Sequence, residues 1–388
     1  MLFNLARGPV LTLPECHLCG LYRKCSSPKM PPSGSGKRRI LFIGEAPGKD
    51  EDRLGRQFVG VAGQYLRKIL LELKCSLDDC RITNSIICRP PDNKMSARYH
   101  TSCAPSLRKL LRDEKFDVII TLGEWALRQT IPDEVARYGG GMGRWRGWAI
   151  PLIEFGCYLC PVYHPSYVLR TGEDPIIVRE FRADLKAALG LPKLAARPTL
   201  TTLTSKIELV KSPHSRFIDL ARKSGSLAFD YETTGLKPDA PSHRIVSCSF
   251  CFEGEDTWAC KINEDDFALL GKVLFSKRLR KIASNLKFEE RWTISKLGRG
   301  VAGWYWDTML AAHILDNRPG TTSIKFQSFV RLGVGGWEEG VKEYLKADNA
   351  NAKNRIESLP NDALLTYNGL DSLLEFMVML DQKREMAG

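Results

Sequence analysis

No apolar run in this 388-residue chain approaches the roughly 20 residues needed to cross a bilayer. The N-terminal stretch MLFNLARGPVLTLPECH lacks a basic flank, an apolar core and a small-residue cleavage site. No export signal is therefore expected, and the protein is expected to stay in the cytoplasm. Internal repeats are also missing, which excludes a duplication. Acidic residues are short in the first half, with 30 Lys+Arg against 20 Asp+Glu over residues 1–195, and 27 against 25 beyond. Most of the net charge of +12 thus sits in the first half, where it suits a polyanionic partner or forms a solvated basic face.

Cysteine is not scarce. Twelve cysteines in a reducing compartment point to metal or redox chemistry ahead of structural disulfides. The length favours two domains. From residue 40, strands and helices alternate: RILFIGEAPG, a helical stretch at 62–74, RITNSIIC, a helix near 103–115, FDVIITLG, then YLCPVYHPSYVLR. This alternation implies a parallel sheet with helices on its faces. The Pro-, Thr- and Leu-rich tract 193–212 reads as a linker between domains at 1–192 and 213–388. A fresh α/β pattern begins at SLAFDYETTGL, continues with IVSCSFCF, and ends in helices near 307–316 and 361–382.

Ligands of open α/β sheets bind beyond the carboxyl ends of the strands. Three polar motifs stand at such ends: Gly44-Glu45-Ala46-Pro47-Gly48, Thr83-Asn84 and His164-Pro165-Ser166. A carboxylate, an amide and an imidazole could share one pocket there. Each has a plain alternative: Glu45 a helix-start carboxylate, Asn84 a turn residue, His164 a hydrogen-bonded core histidine.

Taken in order, GEAPGKDEDRLGRQFVGVAGQYL (44–66), TNSIICRPPDN (83–93) and HPSYVLR (164–170) closely resemble family 4 uracil-DNA glycosylases. The resemblance implies a three-layer, parallel-sheet glycosylase fold acting on a base flipped out of DNA. By it, Phe58 stacks on uracil beside Gly44, and Asn84 pairs with the polar edge that distinguishes uracil from cytosine. His164 stabilises charge on the departing base and Glu45 holds or activates water. Ser166 belongs to the same motif, and Leu169 with Arg170 forms a DNA-inserting wedge and phosphate contact. Asp50, Glu51 and Asp52 read first as helix-start carboxylates.

Cys16 and Cys19 form a C-x2-C pair. Cys157 and Cys160 could complete a four-thiolate zinc site by spacing, but positions three apart on a strand face opposite ways. Cys248 and Cys251 meet the same objection. The family resemblance implies Cys16, Cys19, Cys88 and Cys103 as ligands of a [4Fe–4S] cluster, with zinc in the same cage and Cys25 as a substitute ligand left open. Other signals are slight. GSGK at 34–37 precedes a strand where a phosphate loop follows one. Arg144, Trp145, Arg146 and Trp148 suit either a nucleic-acid surface or a hairpin between Gly143 and Gly147.

In the second half, FDYETTGL puts Asp230 and Glu232 on one face of a strand, an expensive arrangement without a cation. NLKFEERW adds Glu289, and TYNGLD sets Tyr367 and Asp371 one helical turn apart. Four carboxylates and a tyrosine suit two divalent metals, Mg or Mn, for phosphodiester hydrolysis. The ordered set resembles the proofreading 3′–5′ exonuclease domain of family-A DNA polymerases, implying a ribonuclease-H-like mixed sheet. Asp307, in WDTMLAAHIL, is expected to be structural. One residue departs from that pattern: Glu289 stands where Asp is usual. The chain stops too soon after the last motif for a polymerase.

The leading reading is a bifunctional DNA-processing enzyme that excises uracil and trims 3′ ends. The alternatives are a DNA-binding or interaction protein with one or both modules inactive, and a zinc-bound DNA-binding protein.

Overall fold

Five consecutive core residues, Ile40–Gly44, build the interior strand β1, covered on both faces as a parallel strand must be. In the computed structural model, which describes residues 16–213, 215–253 and 257–388, β1 pairs in parallel with β2 (Arg81–Asn84) and β3 (Val118–Leu122). Strand β4 (Ile150–Leu152) lies antiparallel against β5 (Cys157–Val162), giving the order β2-β1-β3-β5-β4. Phe42, Ile82, Ile120, Val162 and Phe181 meet in the core of this sheet and its helices. The carboxyl ends of β1, β2, β3 and β5 open on one edge. Because β2 and β3 leave β1 in opposite directions, a crevice forms there, as the switch-point rule expects.

The described chain divides into two compact units, one running to Arg197 and the other from Pro198 to Gly388. The tract 193–212 is not a bare linker. It holds a helical turn, Leu200–Thr204, and strand β6 (Ile207–Val210). The Thr199 side chain caps that turn, and β6 bonds to the strand Thr257–Lys261, so a tract without period-2 patterning gains structure from its partner strand.

The second unit is a six-stranded mixed sheet: β7 (Ser226–Thr233), β8 (Ile245–Phe252), β9 (Thr257–Lys261), β10 (Arg280–Ala283) and β11 (Trp304–Asp307) join β6 in the order β11-β10-β7-β8-β9-β6. The long helix Asn361–Met386 packs on β7, β8 and β9. It is the one described helix long and apolar enough to span a bilayer, which the sequence reading did not anticipate. Most of its apolar stretch is buried, so its apolar character belongs to a core helix covered on most sides. Gly369 lets it approach β6: a Cβ there would stand 2.5 Å from Ile207 Cγ2.

One local reading is corrected. Met142–Trp145 is a helical turn, not a hairpin, with Trp145 buried and Arg146 ion-paired to Glu180 and Asp184. Cys160 lies in the core of the first sheet, and Cys248 in that of the second.

Candidate functional sites

A cavity of about 350 Å³ occupies the crevice of the first unit, lined by Glu45, Phe58, Asn84, His164, Ser166 and Arg170 among others. The sequence motifs therefore converge. Phe58 holds a left-handed backbone (φ 52), stabilised where the helix Val61–Glu72 presses against it: a Cβ on Gly63 would lie 2.2 Å from the Phe58 carbonyl carbon. Gly44 lies beneath the site, since a Cβ there would meet Asn84 Oδ1 at 2.3 Å and Phe58 Cζ at 2.7 Å. Only glycine leaves both side chains in place.

His164 precedes the helix Pro165–Arg170, and its Nδ1 accepts from the Ser166 amide at 3.1 Å. The Ser166 hydroxyl lies 2.6 Å from the same nitrogen and accepts from Arg170 at 3.1 Å. With Nδ1 accepting, the ring proton belongs on Nε2. Desolvation, then the nearby Arg170 charge, lowers the pKa of His164 to about 4, so the ring is neutral at physiological pH. Glu45 moves the other way: burial raises its pKa, opposed chiefly by the Trp125 amide, which donates to Oε1 at 3.3 Å.

Leu169 does not line the cavity. It packs, partly buried, against the core of the unit, and Tyr167 is the exposed apolar residue of that helix. Glu51 is a capping carboxylate, accepting from the amides of Gly48, Val59 and Gly60, and Asp52 accepts from Ser26 and Ser27. A residue the sequence did not signal is Gln57, buried and bonded to Asn84 at 3.1 Å.

Cys88 and Cys103 are buried around Leu21 and Ile86, with Cys19 and Cys25 packed against them. The helix Cys16–Cys19 lies on the helix Ala97–Asp113, which carries Cys103. Burial pushes the thiols of Cys88 and Cys103 up to about 12 and about 11. Cys25 hydrogen-bonds the Cys88 sulfur, and the Lys29 amide donates to it at 3.2 Å.

In the second unit, carboxylate oxygens of Asp230, Glu232 and Asp371 lie within 4.8 Å of one another. Asp230 and Glu232 share a face of β7, and the helix Asn361–Met386 supplies Asp371. Asn368 ties the two elements together. It donates to Asp230 Oδ2 at 2.7 Å and accepts from Ser247 on β8. Burial, then mutual repulsion, raises the pKa of both β7 acids. Glu289 is buried next to this group, with Oε2 lacking a partner, and burial also raises its pKa. Glu375, one turn beyond Asp371, was not foreseen; its Oε1 accepts from the Ser284 amide at 3.1 Å and its buried Oε2 has no partner. The Lys325 ammonium contacts Asp371 and sits over the rings of Trp337 (4.3 Å) and Tyr367 (4.5 Å). Asp307 is structural, capping the helix Thr308–Leu315 and accepting from the Asn285 and Leu286 amides.

A family model described as "Uracil DNA glycosylase superfamily" matches residues 31–186. A type-4 uracil-DNA glycosylase of Saccharolobus solfataricus is 33% identical over 45% of this chain and 82% of its own length. One from Pyrobaculum aerophilum is 35% identical over 45% of this chain and 89% of its own. The chain belongs to the type-4 uracil-DNA glycosylases. A second family model, "3'-5' exonuclease", matches residues 211–376. This glycosylase therefore carries a 3′–5′ exonuclease domain in its C-terminal half. Among solved structures, one titled "Brucella melitensis NrnC" aligns at TM-score 0.36 and 15% identity, over 47% of this chain and 80% of that one.

Proposed function

We propose that this type-4 glycosylase excises uracil in the Glu45–Asn84–His164 pocket, and that its exonuclease domain removes 3′ nucleotides at Asp230, Glu232, Glu289 and Asp371. The convergence of Glu45, Phe58, Asn84, His164, Ser166 and Arg170 on one crevice carries the first assignment. Phe58 receives the face of the flipped base and Asn84 its polar edge. A neutral His164 donates from Nε2 to the oxygen on which charge grows as the glycosidic bond breaks. Keeping the ring neutral costs little reorganisation, and Arg170 adds positive potential. Glu45, ionised despite burial, aligns water opposite the departing base and stabilises positive charge on the sugar.

Cys16, Cys19, Cys88 and Cys103 would hold a [4Fe–4S] cluster. Buried thiols with raised pKa values lose their protons readily only to a bound cation. The cluster would brace the N-terminal segment and the loop after β2.

The clustered acids and Tyr367 fit two divalent cations, which supply charge neutralisation and an activated water for phosphodiester hydrolysis. Asp230, Glu232 and Asp371 are the nearest-set ligands, Glu289 reaches from the helix Lys287–Leu297, and Tyr367 orients the water. An intracellular location fits DNA as the shared substrate. Incubation with uracil-containing and 3′-labelled DNA, with and without chelator, tests both halves: excision should survive chelation and nucleotide loss should not. A protein inert on both substrates would be an interaction module.

A further inference from the structure

We propose that Gln57 sets the base selectivity of the uracil pocket by fixing which way the Asn84 amide faces. The inference rests on the glycosylase reading above and concerns a residue outside its reacting groups. A base-reading asparagine has an ambiguity built in. Its oxygen and nitrogen are nearly equal in size, and rotating the amide by half a turn exchanges acceptor for donor. Uracil offers an N–H at N3 and an oxygen at C4, whereas cytosine offers a lone pair and an amino group. An unlocked asparagine could therefore serve either base.

The structure supplies a lock that ends in a group with no ambiguity. The main-chain carbonyl of Pro31 can only accept. It takes a hydrogen bond from Gln57 Nε2 at 2.8 Å, which turns Gln57 Oε1 the other way. That oxygen accepts from Asn84 Nδ2 at 3.1 Å, so Asn84 Oδ1 is left above Gly44, beside the edge of the Phe58 ring. Uracil N3–H finds an acceptor there, and the cytosine N3 lone pair meets another lone pair. The reference carbonyl is itself held. Met30 donates to Ile87 at 2.8 Å, and Ser33 exchanges bonds of 2.9 Å with Ile82 on β2, so the segment carrying Pro31 runs fixed beside the strand that carries Asn84. Gln57 is 3% exposed and Asn84 5%, so water cannot replace either bond if an amide reverses.

Gln57 is thus a positioning residue. Gln57→Leu removes both bonds of the relay while leaving Glu45, Phe58, Asn84 and His164 in place. Release of uracil and of cytosine should be measured on otherwise identical single-stranded DNA. Uracil excision should fall and the cytosine-to-uracil ratio should rise by about tenfold or more, the factor for one lost orientation-specific hydrogen bond. A merely structural role would lower both rates together, so an unchanged ratio overturns the proposal. Gln57→Met, a flexible filler of similar length, should shift the ratio the same way and serves if the leucine variant does not fold. Wild-type protein that releases no uracil removes the glycosylase reading itself; an active wild type with an unchanged variant ratio removes the relay alone.

Discussion

Trp337 donates its indole N–H to Asp371 Oδ1 at 2.9 Å, and the same oxygen takes the Lys325 ammonium. One carboxylate oxygen thus holds a neutral donor and a cation in a cluster that otherwise gathers negative charge. Lys325 supplies part of the charge that a metal would supply, and the rings of Trp337 and Tyr367 keep it there.

Replacing Lys325 by Met should therefore destabilise the metal-free exonuclease domain more than the loaded one. Removing one partner of a partly buried pair costs about 3 kcal/mol. The melting temperature without Mg²⁺ should fall, and the rise on adding Mg²⁺ should exceed that of wild type. Equal Mg²⁺ shifts in the two proteins would mean that the lysine and the cation do not compensate for one another.

Nuclease activity should require Mg²⁺ or Mn²⁺ and vanish in Asp230→Ala, while uracil excision persists. Asp230 stands between Glu232 and Asp371 in charge coupling and is tethered by Asn368, so its loss disturbs the whole set. Glu289 lies outside the tight three-carboxylate group. Glu289→Asp should leave nuclease activity metal-dependent and change its rate, read from loss of a labelled 3′ nucleotide. Inert wild type with an active Glu289→Asp would show that the longer arm silences the site.

The parts of these sites that were legible in the sequence lie where a polar residue interrupts an apolar strand or ends it. Asn84 closes β2, and Asp230 with Glu232 breaks β7 at period two. Gln57 carries no such mark, because a glutamine between Arg56 and Phe58 resembles any loop residue until Pro31 comes near. Lys325 and Trp337 are distant in sequence from Asp371 and meet it only after the helices pack. Glu375 looks like the solvated face of a helix, yet that helix is buried on most sides. The HPSYVLR motif suggested a protruding loop around Leu169, and the segment is a short helix whose form depends on packing at Val168 that the motif does not show. Strand β6 was hidden because edge strands need no apolar alternation when a neighbour supplies their hydrogen bonds.

The cysteines make a spectroscopic prediction. Purified anaerobically, the protein should be brown, and Cys88→Ser or Cys103→Ser should bleach it. Cys160→Ser should keep the colour, since Cys160 lies in the core of the first sheet, away from the pocket around Leu21 and Ile86. Zinc without iron in metal analysis would overturn the cluster assignment.

The pH behaviour of excision should separate Glu45 from His164. The Glu45 carboxyl titrates above its ordinary range because it is desolvated, so excision should fall on acidification before an ordinary carboxylate would protonate. His164 stays neutral down to about 4 and adds nothing to that limb. In Glu45→Gln the limb should disappear, leaving slow excision that is flat with pH; a persisting limb would assign it elsewhere. Stability should respond in the opposite sense for the two groups. The folded pKa of His164, about 4, lies below the unfolded value near 6.5, so between them the unfolded chain binds a proton that the folded one does not. Its contribution is present above about 6.5 and is lost as pH falls toward 4, on the order of 2 kcal/mol for a partly buried ring. Glu45, with its folded pKa raised, contributes stability below its unfolded pKa and loses it as pH rises through the folded one. Chemical denaturation of His164→Gln between pH 4 and 6.5 should therefore show a flatter stability profile than wild type, and parallel profiles would show that the imidazole is not held neutral by the fold.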